Sequence, residues 1–220
     1  MGGATLAAAI FGTTGGSGAG VYDFSEGAGF VTIPAGATGL TLEVWGGGGG
    51  GGWGTVTNIF GEFAYEPQDN PGGGGGSGAY AKIVLVISGG DIGKTIAYGV
   101  GTPGYAGTNG DPVGGSGGIS SASAGSYALA EIICTGGFGG YGGLGINGGR
   151  QGAGGTQTGG TVPPSANGNG GAAFTQAGGT PITGDNSLVG GGGGNGGDSV
   201  EGGDDGQVGS SGRVRFVFTF

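Results

Sequence analysis

The chain has 220 residues, 71 of them glycine, with a net charge of −9 and a mean hydropathy of +0.09. Only 9% of the residues are charged, so the pairing of low hydrophobicity with high charge that marks disorder is missing, and a flexible linker is not the default reading. The basic residues are Lys82, Lys94, Arg150, Arg213 and Arg215, too scattered for a basic patch, and no apolar run approaches the roughly 20 residues that span a bilayer, so neither nucleic-acid binding nor membrane insertion is expected.

From the amino terminus, residues 1–29 read as a small-residue leader. They carry an apolar run from Leu6 to Phe11 and one short strand, Val21–Phe24. The first Lys or Arg is Lys82, so the positive n-region of a secretion signal is lacking. From Phe30 to Trp45 two strands follow, broken at Pro34, Gly36 and Gly39. In the second, Leu40, Leu42 and Val44 alternate with Thr41, Glu43 and Trp45, the period of a half-buried strand. This unit runs into seven consecutive glycines at 46–52.

Residues 53–71 differ in kind. Trp53, Phe60, Phe63 and Tyr65 stand there with Glu62, Glu66 and Asp69, closed by Pro71 and a second glycine run at 72–76. The segment is expected to be a loop that packs its own aromatics or contacts a partner, with Trp53, Phe60, Phe63, Tyr65 and Glu66 as candidate contacts. A strand at 79–88 comes next, then a Gly89-Gly90-Asp91 turn and residues 94–101 as its expected hairpin partner. Tyr127–Cys134 is read as one strand, with Cys134, the single cysteine, as a small buried hydrophobe. In the last strand Val214, Phe216, Phe218 and Phe220 share one face; a strand this apolar has to be paired or covered. No stretch keeps a helical period, so the expected class is all-β with a large irregular fraction.

Residues 136–149 are of neither kind. Phe138, Tyr141, Leu144 and Asn147 recur every third residue with glycine at nearly every position between. Three residues per turn is the period of polyproline II, whose backbone groups bond only to neighbouring helices and whose packing needs glycine where backbones approach. The expectation is a bundle of polyglycine II helices bracketed by a small antiparallel β framework, with the four in-phase residues on one edge. Collagen is rejected, because it needs three chains in strict Gly-X-Y with abundant proline, and this chain has eight prolines and lapsing triplets.

Taken in order, VTIPAGATGLTLEVWGGGGGGG, GGGGGSGAYAKIVLVISGGDIGKTIAYGVG, CTGGFGGYGG and GRVRFVFTF resemble the glycine-rich domain of bacteriophage tail fibre and tail tip proteins, over about residues 30–220. The resemblance implies β-strands framing a stack of polyglycine II helices, with variable loops at the ends of the stack that can contact host receptors. Residues 53–71 and 156–189 depart from the pattern and are the implied contact loops, the second with Phe174. It further implies a non-enzymatic virion protein, assembled in the host cytoplasm. Its partners would be other virion proteins in a symmetric assembly and a host surface receptor, with the leader docking onto a neighbouring subunit. A head or neck decoration protein, to be told apart by copy number per virion, and an ice-binding polyglycine II protein, to be told apart by thermal hysteresis, are the alternatives.

Chemistry finds little support. The absence of histidine removes Ser-His-Asp and Cys-His arrangements and most zinc sites. Residues 193–201, with Asp198, fit one calcium nonapeptide, but the next nine residues do not. Asp204 and Asp205 read as a solvated turn, and Gly93-Lys94-Thr95 lacks the upstream glycine of a phosphate loop. No catalytic residue, cofactor or metal is expected.

Overall fold

A computed structural model describes residues 20–60, 65–143, 152–159, 182–183, 189–190 and 205–220. It is all-β. One antiparallel sheet has four strands in the order β1 (Gly20–Phe24), β13 (Arg213–Thr219), β3 (Gly39–Trp45), β6 (Tyr80–Val86). A second has five, β2 (Ala28–Thr32), β7 (Thr95–Gly99), β8 (Ser120–Ala124), β9 (Ile132–Cys134), β10 (Gln157–Thr158). Two antiparallel pairs stand apart, β4 (Thr55–Phe60) with β5 (Tyr65–Asn70) and β11 (Ile182–Thr183) with β12 (Val189–Gly190).

The two larger sheets face each other across a small core. Period-two alternation turns Leu40, Leu42 and Val44 inward, opposite Val214, Phe216 and Phe218 of the neighbouring strand. The facing sheet supplies Val31, Ile96, Ala122, Ile132 and Cys134. Phe24 stacks on Tyr98 with ring centroids 4.1 Å apart, and both meet Phe216 edge-on at 6.3 and 6.1 Å. Each side chain buried in this way stabilises the fold by about 1.5–3 kcal/mol. Of the face expected on the last strand, Phe220 is exposed and the other three are buried; the strand is paired on both edges, by β1 and β3.

Several expectations need correction. β6 and β7 are not a hairpin. β6 pairs with β3 and β7 with β2 and β8, so the chain crosses from one sheet to the other between them. The Ile33 amide donates to the Lys94 carbonyl (2.8 Å) and the Gly93 amide to the Ile33 carbonyl (3.0 Å), which holds this crossing beside the one between β2 and β3. The unit at 30–45 is likewise split between the two sheets. The strand expected at 127–134 is confined to 132–134, and the adjoining strand, β8, lies in a serine and alanine stretch. Residues 20–29, assigned to the leader, belong to the framework through β1 and β2, and residues 157–158, assigned to a loop, through β10. The segment expected as a loop at 53–71 has a hairpin backbone that pairs Thr55 with Asn70 through to Phe60 with Tyr65.

The glycine tracts continue the strands. β3 runs on into 46–53, β7 into 101–107 and β9 into 135–143, while 72–79 leads into β6, 112–118 into β8, 152–156 into β10 and 206–212 into β13. Backbone hydrogen bonds join these seven segments side by side. Along the central one, amides 46, 49 and 52 donate to carbonyls 79, 76 and 73; amides 47, 50 and 53 to 118, 115 and 112; amides 48 and 51 to 210 and 207, all at 2.8–3.0 Å. The direction of donation therefore returns every three residues. Its carbonyls accept from Gly104 and Gly107 on one side and from Gly137, Gly140 and Gly143 on another. Segment 46–52 is buried throughout, ringed by five others.

The close approach leaves no room for side chains. A Cβ at Gly49 would lie 2.1 Å from the Phe138 carbonyl oxygen, and one at Gly50 1.8 Å from that of Tyr105. Glycine at these places is demanded by space, not by backbone angle.

Candidate functional site

The described glycine segments that leave the framework, 46–53, 101–107 and 135–143, run to the same end of the bundle. At that outer end the hairpin of β4 and β5 connects 46–53 to 72–79, and residues 108–111 connect 101–107 to 112–118. The outer end carries these connections between bundle segments, and it is the candidate site.

Trp53 closes the central segment. Its amide donates to the Pro112 carbonyl (3.0 Å) and its carbonyl accepts from Gly143 (2.9 Å), so the base of the hairpin is bonded to two neighbouring segments. From there β4 and β5 extend for six residues each, about 20 Å at 3.3 Å per residue. At the closed end Phe60 pairs with Tyr65 and Ile59 with Glu66. Of the expected contact residues, the hairpin brings Phe60, Tyr65 and Glu66 together and leaves Trp53 at the opposite end. Phe63 and Phe174 lie outside the described residues.

The shorter turn is tight. The Thr108 amide donates to the Asp111 carbonyl (2.7 Å) and the Asp111 amide to Thr108 Oγ1 (3.3 Å), and residues 108–111 are all exposed. This turn was missed in the sequence; glycine at 101, 104 and 107 was the available signal that 101–107 is a bundle segment and 108–111 its outer turn.

Along the side of the bundle Phe138 and Tyr141 are exposed, at 59% and 54%, while the glycines between them are mostly buried against their neighbours. Of the four expected edge residues these two are thus solvent-facing, and Leu144 and Asn147 lie outside the described residues. Tyr105 is also exposed, its ring lying over Gly115, where a Cβ would be 2.2 Å from the ring.

Where the sheets meet the bundle, chemistry is occupied with structure. Glu43 is buried, accepts from the Tyr80 hydroxyl (2.7 Å) and pairs with Arg215 (3.5 Å). Cys134 is buried and donates to the Val44 carbonyl (3.3 Å), and burial pushes its thiol up to about 12, which leaves it protonated and inert. Lys94 is held by Asp91 at 2.8 Å in the turn before β7, and Gly93 there has φ of 79°, so this stretch is a capped turn. Asp205 is exposed, and Asp198 and Asp204 lie outside the described residues. Among the described residues no three His, Cys, Asp or Glu side chains gather as metal ligands.

No family model matches the chain, and no curated protein matches it.

Proposed function

We propose that the chain is a non-enzymatic bacteriophage virion protein of the tail fibre or tail tip, a stiff structural module that presents receptor-contacting loops. In this reading the seven glycine segments are polyglycine II helices. The threefold alternation of hydrogen-bond direction supports that assignment, since only a backbone of three residues per turn returns each amide to the same neighbour at every third position.

One observation carries the functional reading: each of the seven described glycine segments adjoins a framework strand, and residues 53–60 and 65–71 of the aromatic and acidic insertion stand at the end of the bundle away from the framework. Such a bundle holds its loops with few side chains and little freedom, which lowers the ordering cost of binding. Phe60, Tyr65, Glu66 and the turn 108–111 are then the contact surface, and the framework end faces the virion. The sequence resemblance to phage glycine-rich domains agrees with this, and function rests on the site, not on the architecture.

The test replaces residues 55–70 by a short Gly-Ser turn, and separately residues 108–111, in the infectious particle. Assembled particles that adsorb poorly or to different hosts are expected. Unchanged adsorption and assembly in both replacements, or absence of the chain from purified virions, removes the reading.

A further inference from the structure

β6 ends the four-stranded sheet, with β3 as its one strand neighbour among the described residues. The Gly46 amide donates to the Ala79 carbonyl and the Ile87 amide to the Thr38 carbonyl, which fixes the parity of the pair. Ala81, Ile83 and Leu85 turn their peptide groups toward β3, and Val84 and Val86 turn theirs outward. Val84 is 64% and Val86 87% exposed, on the face away from the core. On the core face Ile83 and Leu85 are only half-buried, at the side where the facing sheet ends in the two-residue β10.

Exposed edge strands are normally kept from pairing by a charge, a proline, a bulge or short length. Residues 83–87 carry no charge and no proline, and β6 is a full seven residues long. Their order is Ile83-Val84-Leu85-Val86-Ile87, a palindrome about Leu85. When two copies of this strand run antiparallel around a two-fold axis at Leu85, Val84 falls opposite Val86, Ile83 opposite Ile87, and Leu85 beside itself. The outward peptide groups of Val84 and Val86 then form the hydrogen-bonded pairs, with valine against valine on one face. On the core face Leu85 and the isoleucines cover the half-buried side of each other's sheet. Sliding one strand by two residues would set Lys82 or, in the other direction, Ser88 against a valine and lose the match.

We propose that β6 is a self-association edge that binds β6 of a second copy, antiparallel about Leu85, joining two four-stranded sheets into one of eight strands. The glycine bundles of the two copies then leave the shared sheet in opposite directions, so a pair presents two outer ends. This inference does not depend on the virion reading.

Sedimentation of the full chain tests it. The wild-type chain is expected to be a dimer and the doubly substituted V84K/V86K chain a monomer with an unchanged circular dichroism spectrum, since both positions are exposed. Leu85→Cys is expected to form an intermolecular disulfide in air, because residues at a two-fold non-bonded position lie about 4.5 Å apart, within disulfide reach. Cys134, being buried, does not compete. A wild-type monomer at the highest soluble concentration, or a dimer that survives V84K/V86K, overturns the proposal. Loss of the dimer in V84K/V86K without cross-linking by Leu85→Cys overturns the two-fold register.

Discussion

Replacing Gly50 by alanine adds one methyl group at the centre of the bundle. Its carbon would stand 1.8 Å from the Tyr105 carbonyl oxygen, where real contacts stay above 3.0 Å, so segment 101–107 has to retreat by about 1 Å. That segment is held by Gly104 donating to Gly48 (2.8 Å) and Gly107 to Gly51 (2.8 Å), and it accepts from Gly115 (2.8 Å) and Gly118 (2.7 Å). A retreat of that size carries these bonds past hydrogen-bonding distance. Losing two to four of them costs about 1–6 kcal/mol at roughly 0.5–1.5 kcal/mol each. Alanine offsets about 0.4–1 kcal/mol of this by restricting the unfolded chain. The expected net loss is thus about 1–5 kcal/mol, and Tm falls by about 2–4 °C for each kcal/mol in a chain of this size. Thermal unfolding followed by circular dichroism measures it, with Gly89→Ala as the control, because a Cβ at Gly89 meets nothing within 4 Å. The control is expected to melt at or slightly above the wild-type temperature. A Gly50→Ala chain that melts with the control would refute the close packing of 46–52 against 101–107.

Adjacent positions in one segment should behave in opposite ways: Gly137→Ala, whose Cβ would lie 2.0 Å from the Gly76 carbonyl oxygen, lowers Tm, whereas Phe138→Ala, at an exposed site, changes stability by less than about 0.5 kcal/mol. Tyr80→Phe removes a hydrogen bond to the buried Glu43 carboxylate and is expected to cost about 1.5–3 kcal/mol in denaturant unfolding. Cys134 is expected to resist alkylation at pH 8 until denaturant is added. Its folded thiol is raised to about 12 from an ordinary 9.0, so its contribution to stability is complete below pH 9 and is lost as pH rises through 12, as a pH series of unfolding curves can show. The Asp91 carboxyl is lowered from 3.8 to about 2, first by its hydrogen bond from Lys94 and then by those from Ser88. Its contribution is present above pH 3.8 and is lost as pH falls through 2; an NMR titration should place the midpoint near 2, and Lys94→Ala should raise it.

The strands that could be read from the sequence are those whose alternation is set by a half-buried sheet. Leu40, Leu42 and Val44 face the core as their spacing requires, and so do Val214, Phe216 and Phe218. β8 could not be read, because Ser120 and Ala122 are its buried residues, and small side chains carry no alternation of hydropathy. The false hairpin between β6 and β7 has a different origin. Gly89, Gly90 and Asp91 do form a tight turn, capped by Ser88 and Asp91, but a turn states only that the chain reverses; which sheet receives it depends on Ile33, far away in sequence. The candidate site was legible in part for a similar reason. Composition set residues 53–71 apart, whereas the pairing of Phe60 with Tyr65 and the separation of Trp53 from both depend on hairpin register.

Glycine spacing encodes depth in this fold. A segment whose amides repeat direction every three residues has three ridges, and a ridge must be glycine only where another backbone lies against it. Segments 101–107 and 206–212 keep glycine at one position in three, and it is the amides of those glycines that donate across the bundle: 206, 209 and 212 to carbonyls 107, 104 and 101, and 104 and 107 to carbonyls 48 and 51. Segment 135–143 has glycine at two positions in three and shows the third, Phe138 and Tyr141, to solvent. Segment 46–52 is glycine throughout and is buried throughout. The number of glycine ridges thus follows how far each segment is surrounded. A side chain in phase every third residue does for the bundle what an edge charge does for a sheet, since it closes that direction to a further backbone. Among the described residues Phe138 and Tyr141 accordingly set the limit of the bundle on their side, and β6, which has no such device between Ile83 and Ile87, is an edge left open.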